Sequence, residues 1–175
     1  MLKKELGSIN NLREKKMSFF PSLQVAVSSF LSLECKTIDS AWNSAIVSGV
    51  FALSVHLLCD LVFRFGGKSI SKDSGFAAHQ VVAFFYMTVL FVVGGSQWYY
   101  GDLPPTAFSR VVDNNGTSRW LAAITFGQLI SWDIPCGLGL VPSMSGDMVM
   151  LGHHVIMAFV AFCGMFHIPS CKYIH

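Results

Sequence analysis

The sequence predicts an all-α protein, a polytopic transmembrane helical bundle of about five membrane segments. Three observations predict it. Of the 175 residues, 53% are hydrophobic and only 13% charged, where a soluble domain carries about 25% charged residues. Mean hydropathy is +0.53. The apolar excess falls into blocks of roughly 20 residues, the length that crosses about 30 Å of hydrocarbon. The segments of about ten alternating residues that mark a membrane β-barrel do not occur.

The segments follow in order. Residues 17–33, "MSFFPSLQVAVSSFLSL", form a short first segment containing Pro21 and Gln24. A secretory signal peptide is the rival reading of this stretch. Against it stand a long polar lead and the lack of a small-residue cleavage site. Residues 44–65, 76–97, 120–141 and 148–166 give segments two to five. Gly66-Gly67 ends segment two, where glycine is favoured just past a helix. Asp102-Leu103-Pro104-Pro105 cannot continue a helix. The turn at residues 141–146 is short, so segments four and five are expected to be antiparallel neighbours. Trp98, Tyr99, Tyr100 and Trp120 flank the third loop, where an interfacial aromatic belt is expected.

Charge sets orientation. The net charge of +2 is too small to point to nucleic acid. Lys3, Lys4, Arg13, Lys15 and Lys16 place the N-terminus in the cytosol if segment one spans. Arg64, Lys68 and Lys72 then lie in a second cytosolic loop. The third loop faces the lumen and holds Asn115-Gly116-Thr117, a glycosylation sequon usable on that side. Five spans satisfy both cues. The five cysteines include no CxxC pair, so neither a disulfide framework nor a zinc site is suggested. They are expected to behave as small apolar residues.

Ionisable residues inside spans are costly and are functional candidates by default. Asp60, Arg64 and His79 lie near span ends, where interfacial or snorkelling roles are expected. His56 is near mid-span and is expected to bond a neighbouring helix. Asp133 and the adjacent pair His153-His154 differ from these. Asp133 and His154 are equidistant from the centre of the turn between segments four and five, about 10–15 Å along their helices. Pro135 removes a backbone donor close to Asp133, so a kink with room for a polar cavity is expected there. Neighbouring helical residues point about 100° apart. One histidine of the pair therefore faces Asp133 and the other flanks a groove. Asp147 reads as a helix-start carboxylate. Histidine boxes for a di-iron site are lacking, and Met150 stands where a box histidine would be. His154 with Asp133 suits either a general base with its orienting carboxylate or an interhelical clamp.

"AWNSAIVSGVFALSVHLL" followed by "LISWDIPCGL…GDMVMLGHHVIMAF" resembles the TLC domain of ceramide synthases, the translocating-chain-associating membrane protein and several lipid-homeostasis proteins. The resemblance covers Trp42 to the C-terminus. It divides the chain into residues 1–41, a basic N-terminus with the first segment, and 42–175, a partial TLC-type domain. Asp133 matches an aspartate of one family helix. Asp147 and His153-His154 match the acidic residue and double histidine of the next. The resemblance implies binding of membrane lipid and a role in lipid homeostasis, in the endoplasmic reticulum. Asp133, Asp147 and His154 are then the lipid-binding candidates. In the ceramide synthase branch the paired histidines serve acyl transfer from acyl-CoA, as co-substrate, to a sphingoid amine. His153, His154 and Asp133 would inherit that catalytic role, with no metal or other cofactor. That branch carries a further His-Asp…Asp motif, and this chain reaches Tyr173-Ile174-His175 without it. The other branches are the nearer match. A third reading is a non-catalytic membrane partner near the translocon.

Overall fold

The computed structural model describes residues 32–65, 72–100 and 116–166. Residues 17–31 of the first segment, Gly66-Gly67, the prolines at 104 and 105, Asn115 and Cys171 lie outside the described residues. Among the described residues, four helices are long and apolar enough to cross a membrane, and no strand occurs.

The first is α1, Ile38–Arg64. It begins six residues before the apolar block because Thr37 caps it. The Thr37 hydroxyl accepts from Ser40 N–H at 3.2 Å, and the Ser40 hydroxyl accepts from Thr37 N–H at 3.1 Å. This reciprocal box satisfies two otherwise orphaned donors. Next is α2, Ser74–Tyr100, where the Asp73 carboxylate accepts from Phe76 N–H at 3.2 Å. The third span, Gly116–Leu140, starts as α3, Gly116–Gln128. It is prolonged by two π-helical turns, Leu129–Asp133 and Cys136–Leu140. The last helix, α4, Met148–Met165, is capped by Asp147, whose carboxylate accepts from Met150 N–H at 2.9 Å.

The third span is the centre of the bundle: 44% of its most apolar 18-residue stretch is buried, against 17% of α4. It packs on α1 on one side and α4 on the other, while α2 packs on α1. Small residues let α1 and α3 approach closely. A Cβ on Gly127 would strike the Ala45 backbone, and one on Gly49 would strike Ser131. The Ser48 hydroxyl donates to Ile124 O at 2.9 Å. The Tyr86 hydroxyl donates to Ser48 O at 2.7 Å. One serine thus ties α1, α2 and α3 together. At the other end, Cys35 N–H donates to Gly116 O at 2.8 Å and Arg119 donates to Lys36 O at 3.0 Å.

One expectation is corrected here. Trp120 belongs to the core, 2% exposed and packed with Cys35, Ala41 and Ala45, not to an interfacial belt. It turns inward because α3 is covered on both sides. Tyr99 is exposed, as a belt residue would be. Cys35 and Cys136 are buried as small core residues, Cys59 is half-buried, and Cys163 lies exposed on the apolar helix α4.

Candidate functional site

The kink expected at Pro135 takes the form of the two π turns that flank it. Proline has no N–H, so the Ser131 carbonyl loses its ordinary partner. The helix widens instead. Ile134 N–H reaches back to Leu129 O, and Val141 N–H to Cys136 O at 3.3 Å. Gly139, at φ 131°, lets the chain leave the helix. Single π turns of this kind are frequent at functional sites.

Asp133 ends the first π turn and is the hub of a buried cluster. Its Oδ1 lies 2.8 Å from His79 Nε2 and its Oδ2 lies 3.3 Å from His154 Nδ1. Side-chain exposure is 10% for Asp133, 8% for His79 and 15% for His154. A carboxylate oxygen accepts from a ring N–H, so His79 is assigned the tautomer with N–H on Nε2. His154 Nδ1 stands within ion-pair distance of the other oxygen, and its Nε2 is turned away from Asp133. That is the arrangement of a carboxylate-oriented general base.

The sequence reasoning placed Asp133 and His154 at one depth, and the structure brings them together. His153 points elsewhere: it is exposed, its ring centroid 5.6 Å from that of His154. Asp147 stays at the cap of α4, apart from the cluster.

His79, expected at the interface from its place near a span end, is the third member of the cluster. It is buried against Asp133, and its ring stacks on Trp132 with centroids 4.6 Å apart. A signal for it existed. His79 lies five residues after Ser74, Asp133 seven before Leu140, His154 six after Met148 and His56 eight before Arg64. Those four helix ends share one face of the bundle, so the four groups lie about 8–12 Å below it.

Asp60 and His56 also depart from expectation. Asp60 keeps its place one turn from the end of α1 but is covered by protein, accepting from Arg64 Nε at 3.0 Å and from the Ser74 hydroxyl at 2.6 Å. His56 is 2% exposed, and its Nδ1 has no hydrogen-bond partner among the described residues, so the expected interhelical bond is not there. Its ring instead lies 6.2 Å from that of Trp132. Trp132 Nε1, His79 Nδ1 and Gln128 Oε1 are likewise buried without a described partner. Buried polar groups are normally satisfied, so this concentration around the π turn sets the region apart from the rest of the core. No group of three or more histidine, cysteine or acidic side chains is arranged to hold a metal ion among the described residues.

Fold and site fit one class: a helical integral membrane protein with a histidine–carboxylate cluster inside the bundle. Models of known protein families, characterised proteins and solved structures yield no match to the chain.

Proposed function

We propose that the chain is a TLC-type integral membrane protein that binds a lipid within its bundle and acts in membrane lipid homeostasis. The observation that supports this best is the Asp133–His79–His154 cluster. It lies beneath one face of the bundle and is surrounded by polar atoms that lack protein partners. Such atoms in an apolar interior call for a polar ligand group. In this reading residues 17–33 add a fifth span, the endoplasmic reticulum is the site, and the N-terminus and the face above the cluster are cytosolic. Native mass spectrometry of the detergent-purified chain tests it. A retained lipid is expected, and Asp133→Leu should reduce its occupancy severalfold. A folded, lipid-free preparation refutes the reading.

A second reading, acyl-CoA-dependent N-acylation of a sphingoid amine, is favoured by one observation. His154 Nδ1 is held by Asp133, leaving Nε2 free to take a proton from the attacking amine. Incubation of the purified protein with acyl-CoA and sphinganine should yield the amide, and His154→Ala should abolish it. Lack of product from the unsubstituted protein ends this reading.

A further inference from the structure

Outward apolar side chains are the rule on a membrane bundle, where lipid tails cover them. One flank differs by being concave. Phe85, Val92, Ser96 and Tyr99 recur at intervals of 7, 4 and 3 residues, which makes them one stripe of α2. Phe91, Val92, Gly95, Ser96 and Tyr99 line a groove of about 450 Å³ on that side. The stripe continues to Phe85, whose ring centroid lies 5.6 Å from that of Phe51 on α1. These two rings are 46% and 40% exposed. The groove therefore opens near the Tyr100 end of α2 and leads to an aromatic pair in the seam between α1 and α2. The other flank of α1 is already filled, because Trp42 packs edge-on against Phe126, Phe162 and Phe166.

The chain itself arrives at the open end of this groove. Cys35 N–H donates to Gly116 O at 2.8 Å, and Arg119 donates to Cys35 O at 3.2 Å and to Lys36 O at 3.0 Å. These bonds pin the lead into α1 at the end of the bundle where α2 finishes and α3 begins. Residues 17–31 come immediately before that lead. As a helix they reach about 22 Å. Phe85 is 15 residues before Tyr100, so it too lies about 22 Å from this end. Phe20 and Phe51 are equally far along the chain from the midpoint of residues 34–37. In an antiparallel hairpin they share a level. Phe19, Leu23, Ala26 and Phe30 recur at intervals of 4, 3 and 4, a wholly apolar stripe at helical spacing.

We infer that residues 17–33 dock as a helix along this flank of α2 and bring Phe19 and Phe20 against Phe51 and Phe85. The segment forms an antiparallel hairpin with α1, and Gly95 and Ser96 leave space for it to lie close. The inference rests on the fifth-span reading and gives that span its seat. It does not depend on what binds at the histidine cluster.

Disulfide formation in membranes that hold the full chain tests it. Phe19→Cys is paired in turn with Phe51→Cys, Phe85→Cys and Phe159→Cys, the last exposed on α4. Oxidation with copper phenanthroline and peptide mass spectrometry read which bond forms, and a bond needs Cα atoms within about 7 Å. A bond within one chain from position 19 to 51 or 85 is expected, in about tenfold excess over one to 159. Gly95→Phe should lower that yield severalfold. A Cβ at Gly95 meets nothing within 4 Å, so the groove takes a methyl there, whereas a phenyl ring occupies the seat. No bond to 51 or 85, or an equal yield to 159, overturns the inference. A bond that joins two chains overturns the choice of occupant in favour of a second copy. A full yield in Gly95→Phe overturns the groove as the seat. If the bond forms but no lipid co-purifies, the seat stands and lipid binding falls. If lipid co-purifies but no bond forms, the reverse holds.

Discussion

Gly127→Ala is the sharpest test of how the bundle is held. The new Cβ would meet the Ala45 carbonyl, with the carbonyl carbon at 2.6 Å and Cα at 2.8 Å. These are backbone atoms and cannot rotate away. Ordinary contact begins near 3.4 Å, so clearing the carbonyl carbon alone parts α1 and α3 by about 0.8 Å and the nearer carbonyl oxygen demands more; even 0.8 Å forfeits a quarter to a half of each dispersion contact across the interface. The Ser48–Ile124 bond, now 2.9 Å, would stretch to about 3.7 Å or more and cease to be one. Overpacking costs about 1–3 kcal/mol, and an interhelical hydrogen bond within a membrane adds roughly 0.6–1.7 kcal/mol. The expected loss is about 2–4 kcal/mol, read from reversible unfolding in mixed micelles. Gly95→Ala and Gly152→Ala serve as controls, because a Cβ there meets nothing within 4 Å. If Gly127→Ala is as stable as those controls, the close crossing of α1 and α3 is wrong.

Three further outcomes follow from named contacts. Ser48→Ala and Tyr86→Phe should each cost about 1 kcal/mol in the same unfolding assay, and the double variant should cost less than their sum, since the two hydroxyls touch at 2.9 Å. Asp147→Ala should lower stability by about 1 kcal/mol through loss of the α4 cap, and Asp147→Asn should restore most of it. His153→Ala should change stability by less than about 0.5 kcal/mol, because the ring is exposed.

Much of this architecture was legible in the sequence, for a physical reason. Hydrocarbon demands long apolar helices, so residues 76–97 and 148–166 were read to within a few residues of α2 and α4. The start of α1 was missed because Thr37 and Ser40 act through polar capping, which hydropathy does not register. The Asp133–His154 pairing was readable because a short turn fixes the register of its two helices. His79 was not read because α2 joins the third span through a long loop, and packing rather than chain connection sets their register. Trp120 was misplaced for a related reason. A tryptophan at a span end can face the interface or the core, and here α1 supplies a core. The resemblance to a TLC domain pointed to both histidines of the pair, and the geometry gives them unequal places.

That inequality separates a clamp from a chemical site. A clamp needs only the contacts with Asp133, one at Nδ1 of His154 and one at Nε2 of His79. The amide nitrogen of asparagine sits close to where Nδ1 of histidine does, and that of glutamine close to Nε2. His154→Asn and His79→Gln can therefore keep both donors while removing the second ring nitrogen. If the cluster only joins α2 to α4 through Asp133, both variants should unfold within about 0.5 kcal/mol of the original and retain lipid unchanged. If His154 Nε2 takes protons, His154→Asn should keep stability yet lose acyl transfer by at least the hundredfold typical of a lost general base. His154→Leu should lose both stability and transfer, because it also strands an oxygen of Asp133. A His154→Asn protein that is stable and fully active refutes any role for Nε2 and leaves the clamp as the whole account of the cluster.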